Sequence, residues 1–237
     1  TVVKTDAEFK AALYEDKTHI NIYIDPTYTR ASDDVFEVEV SATIEDLYWG
    51  GASTKTINID ANGYTISFKH TNGDWNNIRC KNDAAVIIIK NAHLTNTEKN
   101  NGPWNRHDIT FRNAVELYNV TSDKAIALEN DSKLVDVEIS DVHTDNSEAY
   151  GLWISAKGQT VDLDGVSIIA HETKSTDRGI AINDQYVNTP AKVILNVKNS
   201  TFKTQKKAAV LVKSKAGAVI NWGRGNDITG VAADPAN

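Results

Sequence analysis

A phrase of fixed grammar recurs down this chain: apolar, polar, apolar, polar, then Asn, Asp or Gly, then a small residue. It reads Ile87-Ile88-Ile89-Lys90-Asn91-Ala92, Val115-Glu116-Leu117-Tyr118-Asn119-Val120, Val137-Glu138-Ile139-Ser140-Asp141-Val142, Val161-Asp162-Leu163-Asp164-Gly165-Val166 and Leu195-Asn196-Val197-Lys198-Asn199-Ser200. Alternation with period two means a strand with one buried face, and a turn-type residue at a constant offset means that each strand stops at the same kind of corner. Strands that repeat and stop alike are built to stack.

The corner residues are spaced 28, 22, 24 and 34 residues apart, too irregular for a propeller blade and natural for coils whose loops vary in length. A shorter strand follows each corner: Ile109-Thr110-Phe111, Ile126-Ala127-Leu128, Leu152-Trp153-Ile154, Ile180-Ala181-Ile182 and Val210-Leu211-Val212. At a rise of about 3.3 Å per residue, a coil of this length makes one wrap of a solenoid. The pattern predicts an all-β chain, a right-handed parallel β-helix of about six coils.

The N-terminal stretch differs. Thr5 followed by Glu8 has capping-box spacing, and Phe9, Ala12 and Leu13 share one face of a short helix that ends before Lys17. Such a helix would close the apolar end of the stack. Ile20-Asn21-Ile22-Tyr23-Ile24 is the first strand, stopped at Asp25-Pro26. The expected organisation is a cap with first strands over 1–55 and the β-helix over 56–237, forming one continuous domain.

The chain has 237 residues, a net charge of −7, a single cysteine and no methionine. A lone cysteine excludes an internal disulfide framework, and Cys80 sits at an inward position of Ile78-Arg79-Cys80, as a small core residue. Scattered basic residues give no nucleic-acid footprint, and no apolar run reaches membrane-spanning length. A processed piece of an exported protein fits this composition.

These features resemble the pectin-lyase-like β-helix superfamily, and most nearly the pectate-lyase-like adhesive domains of Gram-positive surface proteins. The phrases that carry the likeness are Thr5-Asp6-Ala7-Glu8-Phe9-Lys10-Ala11-Ala12-Leu13, Ile59-Asp60-Ala61-Asn62-Gly63-Tyr64, Arg178-Gly179-Ile180-Ala181-Ile182 and the late coil from Ala191-Lys192-Val193 to Phe202. The resemblance implies a secreted or bacterial cell-surface location and an adhesive role. It is one of architecture and transfers no reaction.

The corner asparagines are structural: Asn, Asp and Gly tolerate left-handed backbone, and stacked amides can form a hydrogen-bonded ladder. Function is sought on outward positions instead. If the phrases stack in register, Glu116, Glu138 and Asp162 form one column with strands about 4.8 Å apart, which makes them a candidate Ca2+ site or else a solvated acidic stripe. The outward column of the second strand is Arg79, Thr110, Ala127, Trp153, Ala181 and Leu211. Trp153 offers an apolar plate for a sugar ring, or packs beneath a loop. Two long loops, His93 to His107 and Ile169 to Arg178, place Trp104, Arg106, His107 and Arg178 where they could wall a groove. Arginine forks suit carboxylates, and so uronic-acid sugars; ion pairs that fix the loops are the competing use.

Three functions compete on this reading. The first is a non-enzymatic module binding polysaccharide or host or matrix glycans, with no cofactor required. The second is a Ca2+-dependent uronate lyase with Arg178 as base, for which the acidic column and the arginine fall on different strands. The third is a self-associating surface scaffold. The first is preferred because aromatic and basic loop residues are present without a complete acid/base set.

Overall fold

The computed structural model describes residues 1–28, 35–40, 46–70, 77–96, 109–142, 150–170, 178–203 and 209–229. Every strand pairing in it is parallel, and the strands form two sheets, one of 14 strands and one of 7. The chain is a parallel β-helix, as its alternation predicts.

Three ladders run the length of the stack. The first holds His19–Ile24, Thr56–Asp60, the leading half of Val86–Asn96 and of Ala114–Ser122, and then Ser132–Val142, Thr160–Asp164, Val193–Lys198 and Ala218–Trp222. The second follows the corner and includes Val35–Val40, Thr65–His70, Ser167–Ala170, Thr201–Lys203 and Asp227–Thr229. Long strands such as Val86–Asn96 cross the corner unbroken and so fuse these two ladders into the 14-stranded sheet. The third ladder is the 7-stranded sheet, from Asp46–Trp49 through Asn77–Cys80, Ile109–Phe111, Ile126–Leu128, Tyr150–Ser155 and Arg178–Asn183 to Val210–Val212.

The core is made of inward columns. Ile22, Ile59, Ile89, Leu117, Leu134 and Leu163 lie one above the next in the first ladder, none more than 3% exposed. Ile78, Phe111, Leu128, Ile154 and Ile182 do the same in the third. Each side chain is covered above and below by a neighbour of similar shape, so burial is shared between coils and no coil is closed by itself.

The corners have the backbone their residue types predict. Asn62, Asn91, Asn119, Asp136 and Asn199 have φ of 51–52°, and Gly165 and Gly225 take φ of +69° and +74°. Asn119 Nδ2 donates to Asn91 Oδ1 at 2.8 Å, and Asn91 Nδ2 to Asp60 Oδ1 at 3.0 Å. Glycine is favoured at two corners for a second reason: a Cβ on Gly165 would stand 2.6 Å from Asp136 Oδ1, and one on Gly225 2.6 Å from Asn199 Oδ1, so those side chains would have to shift.

One corner differs from the sequence expectation. The third corner residue is Asp136, only 17 residues beyond Asn119, and Asp141 lies past it. Val115 pairs with Ser132 and Val120 with Val137, so the phrase beginning at Val137 belongs to the second ladder. The physical cause is a short coil. Only tight turns flank Ile126–Leu128, and the next strand begins at Ser132, where a serine occupies a core position that other coils fill with isoleucine, valine or leucine.

The N-terminal helix forms as its capping signal predicts. It spans Asp6–Leu13, Thr5 Oγ1 accepts from Glu8 N at 3.2 Å, and Phe9, Ala12 and Leu13 are buried. Residues 1–55 also hold the first strands. Val2–Val3 pairs with His19–Ile24, Val35–Val40 with Thr65–His70, and Asp46–Trp49 with Asn77–Cys80, so the first coil lies within this stretch. At the other end, the inward positions of the last described coil are open: Ile220, Trp222 and Ile228 are 39–42% exposed.

Cys80 is fully buried, and burial pushes its thiol up to about 12. At pH 8 roughly one thiol in ten thousand is then ionised. Native protein should resist iodoacetamide and label fully in guanidinium; rapid native labelling, read by mass spectrometry, would contradict this burial.

Candidate functional site

The outer face of the first ladder carries two adjacent columns of outward side chains. In the first, Asn21, Asn58 and Ile88 lead to Glu116, followed by Lys133, Asp162, Asn196 and Asn221. In the second, Lys90 and Tyr118 are followed by Val135, Asp164 and Lys198. Between the columns lies a groove of about 530 Å³, whose lining runs from Tyr118 to Asn221 and Gly223. In its lining the short Val135 stands next to Tyr118, and Gly223 lies without a side chain beside Lys198.

The polar groups of the groove are tied together. Asn221 Nδ2 donates to Asn196 Oδ1 at 2.7 Å, and Asn196 Nδ2 to Asp162 Oδ1 at 2.6 Å, so a directed chain of amides ends on one carboxylate oxygen. Asp164 accepts from Asn199 Nδ2 at 2.8 Å and meets Lys198 Nζ at 3.0 Å. Those two contacts, the amide first, hold the Asp164 carboxyl below its ordinary value. The Tyr118 hydroxyl donates to Glu116 Oε2 at 2.6 Å, and that bond raises its pKa. Lys90 and Lys133 place their ammonium groups 5.7 and 5.5 Å from the Tyr118 ring centroid. The ring is thereby fixed by side chains from the coils on either side.

The acidic column expected from the sequence does not form. Lys133 stands between Glu116 and Asp162, and Glu138 lies on the second ladder between Thr121 and Ser167. The register set by the short coil is the reason. A cation held by Glu116 and Asp162 would meet an ammonium group between them, so this set does not fit Ca2+. Among the described residues no three His, Cys, Asp or Glu side chains come together to hold a metal ion.

Trp153 points outward in the expected column, pairing with Ala127 and Ala181, but it is only 5% exposed. Its ring packs on Tyr150 at a centroid distance of 4.8 Å, and its indole N–H donates to Ser155 Oγ at 3.3 Å. It is therefore a packing residue and offers no plate to a ligand. Arg79 lies on the same face but out of that column, because Asn77 pairs with Thr110; its guanidinium bonds Asp83 at 2.9–3.0 Å. Trp104, Arg106 and His107 lie outside the described residues. Of Arg178 the backbone alone is described, paired with Tyr150 at the start of its strand.

Tyr118, Lys133, Asp164, Lys198 and Asn221 were not singled out by sequence reasoning. Tyr118 carried a usable signal, an aromatic residue directly before a corner asparagine. Lys133 carried none until the register was known.

Comparison with known proteins returns no match: no family model, no curated protein and no solved structure matches the chain. Among the described residues no helix is long and apolar enough to cross a membrane.

Proposed function

We propose that this chain is a non-enzymatic, surface-exposed glycan-binding module that holds a polysaccharide or glycoprotein glycan on the outer face of its first ladder. The observation that carries this reading is the groove itself. Its volume of about 530 Å³ falls within the range of small-ligand sites, and an aromatic ring, carboxylates, amides and ammonium groups converge on it. Sugars present C–H faces for a ring to cover and hydroxyl pairs for carboxylates and amides to bind. The residues sit on strands, so the arrangement is rigid before any ligand arrives.

The location at a cell surface, the adhesive role and the kinship with pectin-lyase-like proteins are part of the same proposal and rest on the residues quoted for that resemblance. The lyase alternative loses its motivating acidic column, since Lys133 interrupts it.

A glycan array probed with the wild-type chain and with Tyr118→Ala tests the reading. The variant should lose binding by about tenfold or more, because it removes a lining ring and releases Lys90 and Lys133, which that ring positions. Its thermal unfolding should change little, since Tyr118 projects from the outer face. Equal binding by both proteins would remove the groove from consideration.

A further inference from the structure

We infer that the groove selects neutral sugar chains over uronates, with Asp162 as the residue that sets this preference; the inference rests on the glycan-binding reading above. Charge in the groove is already balanced, with Lys133 and Lys198 facing Asp162 and Asp164. Each lysine already has a partner. Lys198 is held by Asp164 at 3.0 Å, and Lys133 sits over the Tyr118 ring.

What the groove offers a ligand is acceptor oxygen. Asp162 receives one amide bond on Oδ1, from Asn196, and the side chain is exposed. Asn221 donates to Asn196 and Asn196 to Asp162 Oδ1, which leaves Oδ2 of this exposed carboxylate to accept from a ligand. Hydroxyl donors satisfy such a site. A uronate carboxylate placed there would face Asp162 and Asp164 at close range, and like charges brought together at an interface are strongly unfavourable.

The groove also runs along the stack. It spans the coils of Tyr118, Lys133, Asp162, Asn196 and Asn221, successive strands about 4.8 Å apart. A linear chain lying parallel to the axis would meet a new polar side chain at each coil.

Isothermal titration with matched β-1,4-linked hexamers provides the test: mannose against mannuronate, and glucose against glucuronate, pairs that differ only at C6. Wild type should bind at least one neutral hexamer at least about tenfold more tightly than its uronate partner. Asp162→Asn keeps the side-chain shape and removes the charge. It should weaken the neutral hexamer and narrow the gap between the pair, while Glu138→Gln, on another face, should leave both unchanged. If the uronate binds as well or better and Tyr118→Ala abolishes that binding, the glycan-binding groove stands and the neutral preference is wrong. If Asp162→Asn leaves the ratio unchanged, Asp162 is not the selecting residue. If no hexamer and no arrayed glycan binds, the groove reading itself falls and this inference with it.

Discussion

Asn113→Ala should destabilise the domain by about 2–4 kcal/mol, a larger cost than its size suggests. Asn113 is 1% exposed. Its Oδ1 accepts from Cys80 N at 2.7 Å, and its Nδ2 lies 3.0–3.1 Å from the carbonyls of Asn82, Asp83 and Ala85. One amide thus satisfies the turn that joins the third ladder to the first in the coil below. Alanine removes those partners and leaves a buried N–H and several carbonyl groups short of hydrogen bonds, and each unsatisfied group costs about 1–3 kcal/mol. Asn113→Asp separates this account from simple loss of volume. The carboxylate keeps the acceptor for Cys80 but turns oxygen toward three carbonyl oxygens, so it should be at least as damaging as alanine. Urea unfolding of both variants checks the result; a loss below about 0.5 kcal/mol in either would show that the turn does not depend on this amide.

Nothing in the local sequence marks Asn113 for that task. Its partners lie 28 to 33 residues earlier, and only the stacking of coils brings them near. The same distinction explains what was legible and what was not. Alternation and corner residues are local, so the strands, the cap over Asp6–Leu13 and the buried Cys80 follow from the sequence. Register between coils is not local. The strand Ser132–Val142 holds two aspartates that could be corners, and only the half from Val137 to Val142 fits the phrase; the half that does form the corner breaks it, with Ser132 at an inward position and Val135 at an outward one. A corner at Asp141 instead of Asp136 sets Glu138 beside Glu116 and leaves Lys133 out of the column. A slip of that kind leaves the fold unchanged and rewrites the outer face. Trp153 shows a second limit. Alternation says which way a side chain points, but whether an outward residue is covered depends on tertiary packing, here including Tyr150.

The face of the first ladder follows from the same physics as the core. Parallel pairing puts residues far apart in sequence into vertical contact, so Lys90 and Lys133 reach the ring of Tyr118 from the coils on either side, and three coils in succession supply Asp162, Asn196 and Asn221. No single coil contains the groove. A change in loop length between two coils would redraw it without touching a lining residue, which links the irregular coil lengths directly to the chemistry of the surface.

Phe111→Ala tests the stack itself and should cost about 3–5 kcal/mol. Phe111 is fully buried between Ile78 below and Leu128 above, in the core column of the third ladder. Alanine opens a cavity that neighbouring coils can fill only in part, because each is pinned by its own ladder of hydrogen bonds. The loss should also be directional. In a solenoid, coils contact their nearest neighbours, so weakening one interface near the middle lowers the coupling between the two sides. Hydrogen exchange should then show amides of Thr56–Asp60 and Val193–Lys198 protected to different extents in the variant, where wild type shows a common limit. A single cooperative transition with the same protection on both sides would mean that the coils unfold as one body, and the nearest-neighbour account of this fold would have to be given up.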